Sequence, residues 1–292
     1  MRSQDLSREL FGQRFQNPLL LAAGTAGFGK ELDGVLDLDS LGGIVTKAVS
    51  REPRNGNAAP RVAEFPGGML NSVGLANPGV VRVREEYLPW IASRLTRARV
   101  LVNVVGFSVE EYGDVVAELS GSPGITAFEF NLSCPNTRAG GIEFGADPAC
   151  VHRIVSLCRT RTRLPLIAKL SPVLPDIVGM AQTACDAGAD AISAVNTMPG
   201  LLFGMTSSSA RLGNGNGGVS GPGLLPVGVL AVARIVERIG ATPVIGVGGV
   251  RSADDVRQYL RVGAALVAVG TGALADPRLP QRIIADLERS DG

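Results

Sequence analysis

The amino-acid sequence predicts one (β/α)₈ barrel spanning 1–292, and three observations lead there. Eight short apolar runs recur along the chain, helix-type segments lie between most of them, and the runs end on a series of polar or glycine residues. The runs are Leu19–Ala22, Gly43–Thr46, Val100–Asn103, Phe128–Asn131, Leu166–Lys169, Ala191–Val195, Val244–Val247 and Leu266–Val269. Nearly continuous apolar stretches of this length suit strands buried on both faces of a parallel sheet.

Between them, Val151–Thr160 places Val151, Ile154, Val155 and Cys158 on one helical face. Asp176–Ala187 runs into Gly188, a helix stop that feeds the next strand, and Ser252–Asp255 can cap a helix reaching Val262. Alternation of this kind is the pattern of the (β/α)₈ barrel, with a doubly wound open sheet as the alternative. Two connections exceed a simple crossover, Ser50 to Arg99 and Met198 to Thr242. Loops so long in one domain are usually functional, and both are expected as insertions over the C-terminal mouth of the barrel.

Hydrophobic residues make up 45% of the chain and the formal net charge is +1, with Lys and Arg scattered. Nothing in that balance points to a nucleic-acid surface. The four cysteines, Cys134, Cys150, Cys158 and Cys185, form no CxxC pair, and His152 is the single histidine, so no metal site is expected. Free thiols fit a reducing, cytoplasmic setting. No stretch reaches the ~20 apolar residues that span a bilayer, and no membrane association is expected.

Barrel sites are built at the C-terminal strand ends. Here those ends carry Gly24, Lys47, Asn103, Asn131, Lys169, Asn196, Gly248, Gly249, Gly270 and Thr271. The glycines could be turn residues alone. Lys47 and Lys169 are harder to dismiss, because lysine is rarely buried unpaired. The last two ends, Gly246–Val250 and Val269–Gly272, read as the phosphate-binding turns that follow strands seven and eight of many barrels. That signal says only that the ligand is phosphorylated.

Specific wording begins at Asn131-Leu132-Ser133-Cys134-Pro135-Asn136. It is joined by Pro60–Glu64, Gly68–Gly79, Lys169–Pro172, Val195–Thr197 and Gly217–Pro222. In these segments the chain resembles the class 1 dihydroorotate dehydrogenases, from about Asn17 to Ala275, and the NAD-linked 1B subgroup more than the fumarate-linked 1A subgroup. The resemblance implies oxidation of (S)-dihydroorotate to orotate in de novo pyrimidine biosynthesis, with FMN as cofactor. It implies Cys134 as catalytic base on a loop and Lys169 beside the flavin. Lys47, Asn71, Ser72, Val73, Gly74, Leu75, Asn131, Asn136, Asn196 and Thr197 would contact substrate. Ala23, Gly24, Lys47, Ala48, Asn103, Asn131, Lys169, Val195, Gly221, Gly248, Gly249, Gly270 and Thr271 would contact FMN. The family often has serine where this chain has Ala23, so a side-chain bond to the flavin would be absent there, and Ala48 offers only its backbone. A homodimer and a separate electron-transfer subunit with FAD and [2Fe–2S], passing electrons to NAD, are implied as well. A cysteine base argues against the quinone-linked class 2 enzymes.

The residue types suit that chemistry. The reaction removes a proton from C5 of the substrate and moves a hydride from C6 to flavin N5. A thiol with a pKa near ~8.5 can act as the base. A lysine beside the flavin can stabilise the charge of the reduced ring. Asparagine both donates and accepts, as a pyrimidine with N–H and C=O groups requires. Cys150, Cys158 and Cys185 read as core residues and His152 as a helix-surface residue. Three alternatives are a flavin barrel of the dihydropyrimidine dehydrogenase kind, a flavin-free phosphate-binding isomerase barrel and a non-catalytic binding barrel.

Overall fold

A computed structural model describes residues 5–133, 135–136, 142–204 and 208–289. Eight parallel strands close into a barrel: β1 Leu19–Leu21, β2 Gly43–Val45, β3 Arg99–Val104, β4 Ile125–Asn131, β5 Leu166–Leu170, β6 Ala191–Ala194, β7 Val244–Val247 and β8 Leu266–Val269. They pair in chain order, and β8 returns to β1 through Val267↔Leu19 and Val269↔Leu21. Each predicted apolar run therefore holds a barrel strand, and the open-sheet alternative falls.

The barrel interior is filled in layers. Leu20, Val45, Leu101, Ala127, Ile167, Ala191, Ile245 and Leu266, one from each strand, belong to a single buried apolar cluster. Because side chains alternate faces along a strand, the next inward position lies two residues further on. Those positions are Ala22, Lys47, Asn103, Glu129, Lys169, Ser193, Val247 and Ala268. The second layer is thus apolar on β7, β8 and β1 and polar from the end of β2 through β6. Asn103, Glu129, Lys169 and Ser193 are all buried.

Helices cover the outside. The run after β2 comprises α1 Val80–Arg82, a π turn Val83–Tyr87 and α2 Leu88–Arg94. Then come α3 Val109–Leu119, α4 Pro148–Arg161, α5 Ile177–Asp186, α6 Leu225–Ile239, α7 Ala253–Arg261, α8 Thr271–Ala275 and α9 Leu279–Glu288. Asp176 caps α5 by accepting from the Gly179 N–H, and Ser252 caps α7 by accepting from the Asp255 N–H. The alternation lapses between β1 and β2, where only the 3-10 turns Lys30–Leu32 and Leu38–Ser40 form. Gly24, Gly27, Gly29 and Gly34 all take positive φ in this stretch, which no continuous helix can accommodate.

The two long insertions meet. Val62–Phe65 and Gly68–Asn71 come from the first, Met198–Leu201 and Asn216–Ser220 from the second, and together they make one antiparallel sheet. Its central seam pairs Gly218↔Asn71, Val219↔Leu70 and Ser220↔Met69. Ala63, Leu70 and Leu212 form its own small core. Both insertions leave from C-terminal strand ends, so this sheet stands on the side where the polar half-layer opens.

The opposite end is closed by a hairpin, Arg8–Leu10 with Gln13–Phe15, unforeseen in the sequence. Its turn residues Phe11 and Gly12 have φ of 56° and 67°, as a two-residue turn of type I′ requires. Leu10 and Phe15 pack into the interior cluster and plug the barrel from below. Beside it, Asp39 braces the start of β3. Its carboxylate accepts from the Thr96, Arg97 and Ala98 N–H groups at 2.9, 2.8 and 2.9 Å and from the Thr96 hydroxyl at 2.8 Å.

Burial pushes the Asp39 carboxyl up, but these donors outweigh it and hold it below its ordinary value. A depressed folded pKa adds stability above the unfolded pKa, and that increment disappears as pH falls through the folded value. Asp39→Asn is therefore expected to lose about 1–2 kcal/mol at pH 7. In urea titrations the gap to wild type should shrink below about pH 4, the ordinary carboxylate range. A gap that persists undiminished in acid contradicts the assignment.

Candidate active site

Lys169 rises from β5 with its side chain 8% exposed, and its Nζ stands 3.6 Å from Oε1 of Glu129 on β4. The same oxygen accepts from Asn103 Nδ2 on β3 at 2.8 Å. Asn103 Oδ1 and Ser193 Oγ, on either side of this group, are buried with no hydrogen-bond partner among the described residues. Such atoms are costly unless something satisfies them. Lys47, half-buried at the end of β2, has no acidic partner among the described residues. Its N–H donates to Gly27 O at 2.7 Å, tying the glycine-rich first crossover to this rim.

Above this layer the asparagines connect. Asn196 Nδ2 lies 3.2 Å from Asn131 Oδ1 and 3.1 Å from Ser133 Oγ, while Asn196 Oδ1 accepts from the Thr197 N–H at 2.8 Å. The Asn131 carbonyl is fixed from behind by the buried Tyr112 hydroxyl at 2.7 Å. Asn71 reaches across the insertion sheet, donating from Nδ2 to Gly218 O at 3.1 Å. Gly218 in turn lies against Thr197, for a Cβ there would stand 2.1 Å from Thr197 Oγ1. Asn71, Asn131, Asn196 and Thr197 are thereby brought to one rim.

The segment after Asn71 is held rather than loose. Asn57 donates to Ser72 Oγ at 2.8 Å and to the Val73 carbonyl at 3.1 Å. Leu75 takes φ 58°, a left-handed conformation that side-chain-bearing residues seldom adopt, and Gly74 takes 73°. The buried Asn77 fixes that bend, donating to Leu75 O and Ser50 Oγ, both at 2.8 Å, and accepting from the Gly79 N–H at 2.9 Å.

The glycine turns lie on the apolar side of the barrel. Gly248 and Gly249 have φ of 122° and 77°, and Gly221 has 130°. A Cβ at Gly249 would stand 2.3 Å from the Leu225 nitrogen, at the start of α6, so only glycine permits this approach. At Gly270 the nearest atoms to such a Cβ would be Ala22 and Thr25, at 3.7 and 3.9 Å, so the turn faces open space. Thr271 Oγ1 donates to Ser220 Oγ at 2.7 Å, joining the end of β8 to the insertion sheet. Ala23 and Gly24 follow β1 at the same end; Gly24 is exposed. Ala48 is buried, and the Val195 N–H bonds to the Val247 carbonyl at 2.9 Å.

Cys134 lies outside the described residues. Of Asn136 the backbone pairing with Ile142 is described. Cys150 and Cys158 are buried on α4, Cys185 is half-buried on α5 and His152 is exposed. Glu129 and Tyr259 were absent from the sequence-based set. An acid inside the apolar run Ala127-Phe128-Glu129-Phe130 was the available signal for Glu129. Tyr259 had none: it is wholly buried beneath the glycine turn and donates to Gly248 O at 2.8 Å.

Comparisons with known proteins agree with this architecture. A family model described as dihydroorotate dehydrogenase matches residues 5–290. Three relatives carry the name dihydroorotate dehydrogenase B (NAD(+)), catalytic subunit. The one from Pelobacter propionicus is 42% identical over 98% of this chain and 93% of its own. That from Geobacillus kaustophilus is 42% identical over 97% and 89%, and that from Desulforudis audaxviator 44% over 95% and 90%.

The packing under the glycine turn yields a direct test. A Cβ at Gly246 would stand 2.3 Å from the Tyr259 ring, leaving the buried ring no room. Gly246→Ala is expected to lower stability by about 1–3 kcal/mol, as overpacking does, read as a lower urea midpoint. An unchanged midpoint would show that Tyr259 is not the wedge under Gly248.

Proposed function

The chain belongs to the dihydroorotate dehydrogenase family, and from that premise we propose that it oxidises (S)-dihydroorotate to orotate in de novo pyrimidine synthesis. In this reading 1–292 is one catalytic domain with FMN as its flavin and Cys134 as its base. The observation that carries the reading is the divided second layer of the barrel. On one side lie Lys47, Asn103, Glu129, Lys169 and Ser193; on the other lie glycine turns able to take a phosphate.

The residues present fit FMN. The orphaned Asn103 Oδ1 calls for an N–H donor, which an isoalloxazine has and an alkyl chain lacks. Gly221, Gly248, Gly249, Gly270 and Thr271 would hold the phosphate through backbone N–H groups and a hydroxyl. Lys169, Asn103 and Asn131 would hold the polar edge of the ring, with Lys47, Ala48, Val195, Ala23 and Gly24 around it. The chemistry FMN supplies when bound is two-electron oxidation, the acceptance of hydride from C6 of dihydroorotate.

The chain's own residues do the rest. Cys134, as thiolate, takes the C5 proton, so that the C5–C6 bond becomes the double bond of orotate as the hydride leaves. Lys47, with no acidic partner among the described residues, would take the substrate carboxylate. Asn71, Asn131, Asn136, Asn196 and Thr197 match the ring N–H and C=O groups, and Ser72 to Leu75 shape the pocket wall. Amide side chains that both donate and accept reject analogues with misplaced polar atoms.

Reoxidation is assigned to a separate electron-transfer subunit with FAD and [2Fe–2S], delivering to NAD. The relatives' name, a catalytic subunit of an NAD(+) enzyme, supports that division. A homodimer in the cytoplasm completes the proposal. Among the described residues no helix is long and apolar enough to cross a membrane.

Anaerobic mixing of the FMN-loaded chain with dihydroorotate or dihydrouracil tests the reading. Dihydroorotate should bleach the flavin absorbance and dihydrouracil should not; the reverse preference would move the chain to the dihydropyrimidine dehydrogenase kind. Cys134→Ala should still take up FMN and lose at least ~10²-fold in reduction rate. The base is active only when deprotonated, so the wild-type rate should climb through the thiol pKa, near ~8.5. The other described thiols are shifted upward instead. Burial pushes Cys158 up to about 12 and raises Cys150 and Cys185. A pH-independent rate of reduction would count against a thiol base.

A further inference from the structure

Glu129 has no part in the reaction as proposed, yet it is the one carboxylate among the buried polar residues described. Its side chain is 1% exposed and sits in the second barrel layer between β3 and β5. Burying an acid in an apolar barrel is unfavourable unless neighbours compensate it. Both compensating contacts fall on one atom, Oε1: Asn103 Nδ2 at 2.8 Å and Lys169 Nζ at 3.6 Å.

We propose that Glu129 is a positioning residue that sets the polarity of the flavin-facing rim by orienting the Asn103 amide and the Lys169 ammonium. The inference rests on the FMN reading above. A carboxylate can only accept, so the Asn103 group turned toward it must be the NH₂. That fixes Oδ1 as the group left over, and Oδ1 is the buried atom without a partner among the described residues. Glu129 thereby leaves an acceptor on β3 for an N–H of the ligand. The same oxygen restrains Lys169, whose long stem could otherwise take several rotamers. A neutral residue of similar size would fill the space without selecting either orientation.

The alternative is that Glu129 acts on the flavin only as a bare negative charge. The two accounts differ in sign and in coupling. A bare charge opposes electron uptake, so its loss would raise the flavin potential whether or not Lys169 is present. A positioning carboxylate acts mainly through the lysine, its charged partner, so its loss should lower the potential, and by much less where the lysine is gone and only the Asn103 contact remains.

The test uses FMN-loaded wild type, Glu129→Gln, Lys169→Met and the double variant. The readouts are the two-electron midpoint potential and the dissociation constant for sulfite, whose binding to flavins places negative charge on the ring. Glu129→Gln is expected to weaken sulfite binding about tenfold, ~1.4 kcal/mol, and to lower the potential. In the Lys169→Met background both shifts should be markedly smaller, because a coupled pair is non-additive and only the Asn103 contact is left. A raised potential, no change, or an equal shift in both backgrounds overturns the proposal. Should Glu129→Gln not fold, Glu129→Asp in the same two backgrounds gives the comparison, since its shorter carboxylate withdraws from both partners. The FMN reading fails separately, at an earlier step, if wild-type apoprotein takes up no FMN.

Discussion

The contact of Lys169 and Asn103 with a single oxygen of Glu129 governs the interior of this barrel. Charged groups inside a closed sheet cannot be hydrated, so they must satisfy one another or a ligand. The lower layer avoids the issue by being apolar on all eight strands. The second layer meets it on adjacent strands, and the remaining strands keep Val247, Ala268 and Ala22. Such an arrangement is a poor way to gain stability, because apolar residues would pack there at lower cost. It fits the polar side of the flavin site proposed above, with donors and acceptors fixed before a ligand arrives.

The other elements follow from closing that surface. Lys47 and the asparagine cluster continue it upward, and the sheet made from both insertions stands over it. On the apolar side the backbone supplies the polar groups instead. Gly248 and Gly249 reach their conformations because Tyr259 props the turn from below and α6 starts against it. Gly246 leaves room for that ring. One half of the rim is thus built from side chains on regular strands, the other from main chain bent by glycine.

Much of this was legible in the sequence, and the reasons differ by element. The eight strands were readable because doubly buried parallel strands are almost uninterrupted apolar runs. Lys47 and Lys169 stood out because lysine at the end of such a run needs explaining. Glu129 offered the same kind of signal, an acid within an apolar run, but that it points inward beside Lys169 shows only once the closed barrel reveals the two-residue step from Ala127. The pairing of Asn71 with Gly218, 147 positions apart, is a non-local contact that no local pattern announces. The hairpin below the barrel turns on Phe11-Gly12, without the Asn-Gly or Asp-Gly pair that usually marks such a turn. The missing first helix traces to glycines whose positive φ becomes visible only in the structure.

The glycine turns and the polar half-layer are proposed to serve one phosphorylated ligand. Thermal unfolding of the apoprotein with FMN, riboflavin or ribose 5-phosphate tests it most directly, because a ligand that binds only the folded state raises the melting temperature with its concentration. The account predicts a large rise with FMN, a smaller one with riboflavin and little with ribose 5-phosphate. Ribose 5-phosphate matching FMN, or FMN leaving the melting temperature where it was, would contradict it.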